Sequence, residues 1–167
     1  MSVGTDSLGK SAVVSGGRGR DVVTVIPSAV QDVAVDLSRK RLEYLSKSGA
    51  RSTAALRGFE DARAFARRVR LRGDGEDNRL RYGACVADVR AGAGDDQVRF
   101  PTWAAVTCSD PDERSGRLAG GAGDDRLWAG PYPDTILGGP GTDEALGRGG
   151  FDRCSAEAAY SCEVTLP

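Results

Sequence analysis

Four consecutive blocks of nine residues constrain this chain more than any other feature. Residues 120–128 read GGAGDDRLW, 129–137 AGPYPDTIL, 138–146 GGPGTDEAL and 147–155 GRGGFDRCS. Each block has an aspartate at its sixth position (Asp125, Asp134, Asp143 and Asp152), and the eighth position is held by Leu127, Ile136, Ala145 and Cys154. The same register runs upstream. Block 73–81, GDGEDNRLR, places Asn78 sixth and Leu80 eighth, and block 91–99, AGAGDDQVR, places Asp96 and Val98. Between them 82–90, YGACVADVR, keeps only Val89 of the pattern, and an isolated copy at 16–24, GGRGRDVVT, carries Asp21 and Val23. A short fixed period of this kind belongs to a stack of repeated units, each able to bury its apolar side only against the next.

The block itself implies a local shape. Its first part must turn sharply, and Gly reaches φ > 0 and close backbone approach without a steric penalty. Its last three residues make a very short strand, in which the eighth residue faces inward while the seventh and ninth face outward. The seventh positions fit an outer face: Arg79, Asp88, Gln97, Arg126, Thr135, Glu144 and Arg153. Elsewhere, Asp21–Ile26 and Val33–Leu37 read as strands around a turn at Pro27, and 68–72 as a strand leading into the array. Residues 56–67 stay open between an amphipathic helix and a strand, since Leu56, Phe59, Ala62, Ala66 and Val69 approximate a helical stripe.

GGRGRDVVT, GGAGDDRLW and GGPGTDEAL resemble the GGxGxDxUx nonapeptide of the RTX, or haemolysin-type, calcium-binding repeats. The resemblance covers 16–24, 73–99 and 120–155, and it implies an all-β chain. The implied architecture is a parallel β-roll, a right-handed β-solenoid with short strands and Gly-Asp turns, in which stacked partners lie 18 residues apart. It also implies Ca2+ between stacked turns, held by Asp125 with Asp143, Asp134 with Asp152 and Asn78 with Asp96. Asp21 would serve in the isolated copy, with the turn backbone at Gly121, Gly123, Gly139 and Gly141. Calcium takes 6–8 oxygen ligands, which carboxylates and carbonyls provide without His or Cys. The array departs from the motif at Arg20, Pro133 and Phe151 in the fifth position and at Glu76, Cys85 and Tyr132 in the fourth. Fewer ion sites than blocks are therefore expected.

Composition narrows the chemistry. With no His among 167 residues, Ser-His-Asp and Cys-His nucleophiles and His-containing zinc sites are excluded, and no residue is assigned a catalytic role. No EF-hand loop occurs, and no apolar run is long enough for a membrane-spanning helix. The net charge of −1 conceals a segregation. Residues 39–72 hold 11 Lys/Arg against three Asp/Glu, and 73–167 hold nine against 17. The basic segment reads as a solvated face offsetting the acidic array, so no nucleic-acid partner is expected; a protein or surface-glycan partner is left unnamed.

The four cysteines form no Cys-x-x-Cys pair, and three disulfide connectivities are open. Cys85–Cys108 and Cys154–Cys162 close the shortest loops and are preferred. Disulfides point to an oxidising compartment, hence to a secreted or cell-surface protein. The first residues, MSVGTDSLGK, do not read as a signal peptide, so export would make this sequence an excerpt of a longer precursor. The chain divides into a β-rich lead-in (1–72), a first array (73–99), an insertion (100–119), a second array (120–155) and a cap (156–167). Two functions compete: an exported structural module ordered by calcium, and a metal-independent, disulfide-stabilised β-solenoid serving in adhesion or as a scaffold.

Overall fold

The structure is a computed structural model that describes residues 2–3, 12–26, 30–46, 48–104 and 107–166. Because each block makes one turn and one strand, successive strands fall alternately into two sheets. The first sheet is parallel throughout and contains, in spatial order, β1 (Ser2–Val3), β3 (Val22–Val25), β7 (Asp61–Phe65), β9 (Arg79–Gly83), β11 (Gln97–Arg99), β13 (Arg126–Trp128), β15 (Glu144–Leu146) and β17 (Ala158–Tyr160). The second runs β18 (Val164–Thr165), β16 (Arg153–Ser155), β14 (Asp134–Leu137), β12 (Ser115–Ala122), β10 (Val86–Ala93), β8 (Arg68–Arg72), β4 (Val30–Asp36), β5 (Arg41–Ser46), β6 (Arg51–Arg57) and β2 (Ala12–Ser15). The second sheet is parallel except at β5, which pairs antiparallel with β4 and β6. This is the expected all-β parallel roll, widened near its start by a three-stranded meander.

Register follows the eighth position. In the first sheet Ala62, Leu80, Val98, Leu127 and Ala145 stack in one inward column. In the second, Val35, Leu71, Val89, Leu118, Ile136 and Cys154 do the same. Every one of these is at most 1% exposed. The core is broader in the N-terminal half, where Val25, Ala64 and Tyr82 add a second buried row and Phe100 meets Tyr82 edge-on at 5.5 Å. Toward the C-terminus it narrows to the eighth positions and Ala129, with Ala156, Ala159 and Cys162 packed against them.

Residues 56–67 resolve as strand. β6 takes them to Arg57 and β7 occupies Asp61–Phe65, because Ala62 and Ala64 enter the core at a two-residue period. The turn expected at Pro27 lies outside the described residues. The insertion does not divide the roll: β12 already begins at Ser115, Val89 pairs with Leu118 and Val98 with Leu127, so both sheets run through it. The intervening loop is pinned by the Cys85–Cys108 disulfide and by Arg67 and Arg68, which both pair with Glu113. At the C-terminal end β17 and β18 extend both sheets, and Cys162 is bonded to Cys154.

A core this narrow cannot collapse around a missing side chain. Leu127→Ala, between Val98 and Ala145, should lower stability by about 3 kcal/mol, measured as the shift of the urea unfolding midpoint.

Candidate metal centre

The turns that lead into the first sheet stack on one edge of the roll, and those that lead into the second stack on the other. On the first edge the sixth-position side chains form a buried ladder. The backbone N–H of Asn78 donates to Asp96 Oδ1 at 2.7 Å, that of Asp96 to Asp125 Oδ1 at 2.8 Å, and that of Asp125 to Asp143 Oδ1 at 2.9 Å. Asp143 in turn donates to Glu157 Oε2 at 2.8 Å. At the other end the Asp21 N–H donates to Glu60 Oε2 at 2.7 Å. Each carboxylate thus uses one oxygen to accept a backbone N–H from the preceding coil.

The second oxygen has nowhere to go. Oδ2 of Asp21, Asp96, Asp125, Asp143 and Asp152 is buried without a hydrogen-bond partner. In Asp125, Asp143 and Asp152 it lies against the first glycine of the same block (Gly120, Gly138 and Gly147), where a Cβ would collide with the carboxylate. An acceptor buried in this way costs free energy unless a proton or a cation satisfies it. Burial is accordingly the largest cause raising these carboxylates: Asp96 to about 7 and Asp125 to about 6, with Asp143 and Asp152 also raised. Neighbouring carboxylates add to the shift, and the backbone N–H donors oppose it.

The glycines set the turn that brings these groups together. Gly121, Gly123, Gly139 and Gly141 all have φ between 121° and 146°, a region that favours glycine. A Cβ on Gly121 would strike the Gly92 carbonyl of the neighbouring coil, and one on Gly139 would strike the Gly121 carbonyl. Carbonyl oxygens and carboxylates therefore share the same stacked edge. A separate exposed ladder runs beside them: Asp95, Asp124 and Thr142 donate backbone N–H groups to Asp77, Asp95 and Asp124 Oδ1.

The second edge is different. Its sixth-position column reads Val69, Ala87, Gly116, Asp134 and Asp152, so it turns from apolar to acidic only in the last two coils. There the Asp134 N–H donates to Asp152 Oδ1 and the Asp152 N–H to Glu163 Oε2. Asp134 Oδ2 accepts from the Gly130 N–H, so both oxygens of that pair are not equally free. Burial still raises the Asp134 carboxyl to about 7.

The structure thus stacks Asn78 on Asp96, Asp125 on Asp143 and Asp134 on Asp152, each 18 residues apart. Asn78 is neutral and already satisfied: its amide donates to the Glu60 carbonyl and to Asp74 Oδ1, and its Oδ1 accepts from the Asp74 N–H. Sequence reasoning missed the Asp96–Asp125 step, whose 29-residue separation crosses the insertion. It also missed Glu60, which sits 18 residues before Asn78 and was findable by that phase, and the terminal Glu157 and Glu163. Among the described residues no three carboxylate or thiolate side chains converge on one point. A cation on either edge would therefore draw the rest of its oxygen ligands from turn carbonyls and water. The donor set is all oxygen and partly unsatisfied, which fits a hard divalent cation.

The raised carboxyls give a sign for pH. Their folded values lie above the unfolded value near 4, so protonation favours the folded form, and that stability is lost as pH rises through about 6 to 7. Metal-free protein should therefore show a higher thermal midpoint at about pH 5 than at about pH 8, checked by circular dichroism melting.

No curated protein matches the chain at a significant level. Residues 119–154 match the family model of the RTX calcium-binding nonapeptide repeat, in four copies.

Proposed function

We propose that the chain is a calcium-ordered β-roll module of an exported protein, in which the ions complete the fold rather than take part in a reaction. The observation that carries this reading is the ladder of buried carboxylates, each with one oxygen accepting a backbone N–H and the other unsatisfied. Calcium held between stacked turns would neutralise these charges and link neighbouring coils where the core is thinnest. The residues assigned to it are Asp96 with Asp125 and Asp125 with Asp143 on the first edge, and Asp134 with Asp152 on the second. The turn backbone at Gly121, Gly123, Gly139 and Gly141 belongs to the same assignment. Asn78 and Asp21 are weaker members: Asn78 carries no charge, and Asp21 stands against Glu60 outside the arrays. Two disulfides suit an oxidising, calcium-rich exterior.

The same disulfides support the second reading, a metal-independent scaffold. The two separate cleanly. Calcium titrated into metal-free protein should release or absorb heat and increase the β-sheet circular dichroism signal, and Asp125→Asn with Asp143→Asn should weaken binding by at least about tenfold. Absence of heat, an unchanged spectrum in chelator and collapse on reduction would instead establish the scaffold.

A further inference from the structure

The N-terminal coils answer the demands of the first edge with their own side chains. Arg20 holds the fifth position of block 16–24, where the later coils have Asp77, Asp95, Asp124 and Thr142. Its guanidinium forks onto Asp61, with Nε 3.0 Å from Oδ2 and Nη2 2.6 Å from Oδ1, and Nη2 also donates to the Asp77 carbonyl at 2.6 Å. One side chain thus ties three neighbouring coils together. The bond to Asp61 is the largest cause raising this guanidinium above its ordinary value; burial opposes it, and the charges of Asp61, Asp77 and Glu60 reinforce it. In the coil of β9, Asn78 Nδ2 donates to the Glu60 carbonyl at 2.8 Å and to Asp74 Oδ1 at 3.0 Å. Asp61 Oδ1 accepts the Arg79 N–H as well, at 2.8 Å. The later coils differ in what is left over. Oδ2 of Asp96, Asp125 and Asp143 is buried without a partner. Both oxygens of Asp61 and the turn carbonyls of Glu60 and Asp77, by contrast, are taken by N–H donors. Asp21 keeps one unsatisfied oxygen, but these groups of the next two coils are already bonded.

We propose that Arg20 and Asn78 determine where calcium binding stops: the guanidinium and the amide stand in for an ion in the coils of Asp21, Glu60 and Asn78, calcium enters only from Asp96 onward, and the N-terminal coils are ordered without it. The assignment rests on the calcium reading of the later coils and takes the weakness of Asn78 and Asp21 as ligands to its physical conclusion. Calcium needs 6–8 oxygen ligands. Here an ion would compete with a fixed positive charge for the same oxygens, and the bidentate guanidinium–carboxylate pair is among the stronger hydrogen-bonded contacts a protein makes. The guanidinium is covalently attached, so it is present at every calcium concentration. The roll is thereby divided along its axis. A half held by the broad apolar core and by Arg20 stands beside a half whose thin core awaits the ion. The ordered half offers the next coil a finished strand edge on which to form.

Two measurements on the full chain test this. The first is amide hydrogen exchange in chelator and in calcium. In chelator, β7 and β9 should exchange at least about tenfold more slowly than β13, β15 and β16, and calcium should slow only the latter group. Arg20→Gln should speed exchange in β3 and β7 in chelator while leaving β13, β15 and β16 unchanged. The second is the number of calcium ions bound at equilibrium dialysis. The double variant Arg20→Gln, Asn78→Asp, which removes the guanidinium and the amide and adds a carboxylate beside Asp96, should bind one ion more than the parent. Equal loss of protection in all strands in chelator, no effect of Arg20→Gln on β3 and β7, or an unchanged ion count in a folded double variant would overturn this assignment while leaving calcium binding by the later coils intact. A parent protein that binds no calcium and is equally protected throughout in chelator would contradict both.

Discussion

A carboxylate at the sixth place of a block has to sit where the chain folds back above it. Asp125 lies against Gly120, and Asp143 against Gly138, with one oxygen on a backbone N–H of the neighbouring coil and the other buried alone. Much of the roll follows from accommodating that group. The first position must be small, the second and fourth must adopt positive φ, and the carbonyls of successive coils must approach closely enough that only hydrogen fits between them. The glycine content is therefore a consequence of packing carboxylates and carbonyls along one edge.

The same constraint explains why the two halves of the molecule differ. Where the sixth column of the second edge is Val69 and Ala87, the core extends beneath it, and Tyr82 and Phe100 thicken it further. Where the column becomes Asp134 and Asp152, apolar packing retreats to Ile136 and Cys154. Hydrophobic burial and charged ladders thus alternate as the source of cohesion along the roll. The disulfides fall at the two places where the regular ladder is interrupted, the loop near Cys108 and the shortened last coil at Cys162.

Much of this was legible in the sequence, and for a physical reason. Alternation within a strand and stacking between coils both repeat strictly, so the phase of Leu127 and Asp125 places every residue in blocks 120–155. Legibility failed where the phase broke. The Asp96–Asp125 contact spans 29 residues, and Glu157 and Glu163 stand 14 and 11 residues beyond their partners, so no period reveals them. The antiparallel meander of β4, β5 and β6 follows hairpin rather than repeat logic. Residues 56–67 were ambiguous because Leu56, Phe59, Ala62, Ala66 and Val69 approximate a helical stripe, and only the neighbouring strands β3 and β9 fix 61–65 as a strand.

The central claim is that the unsatisfied carboxylate oxygens are cation ligands between coils. Anomalous X-ray scattering from crystals grown in calcium tests it most directly. The account predicts peaks between the turns of Asp96 and Asp125, of Asp125 and Asp143, and of Asp134 and Asp152, with none in the apolar stretch between Val69 and Ala87. Regular, well-ordered turns without such peaks, their aspartates satisfied by protons or water alone, would contradict it.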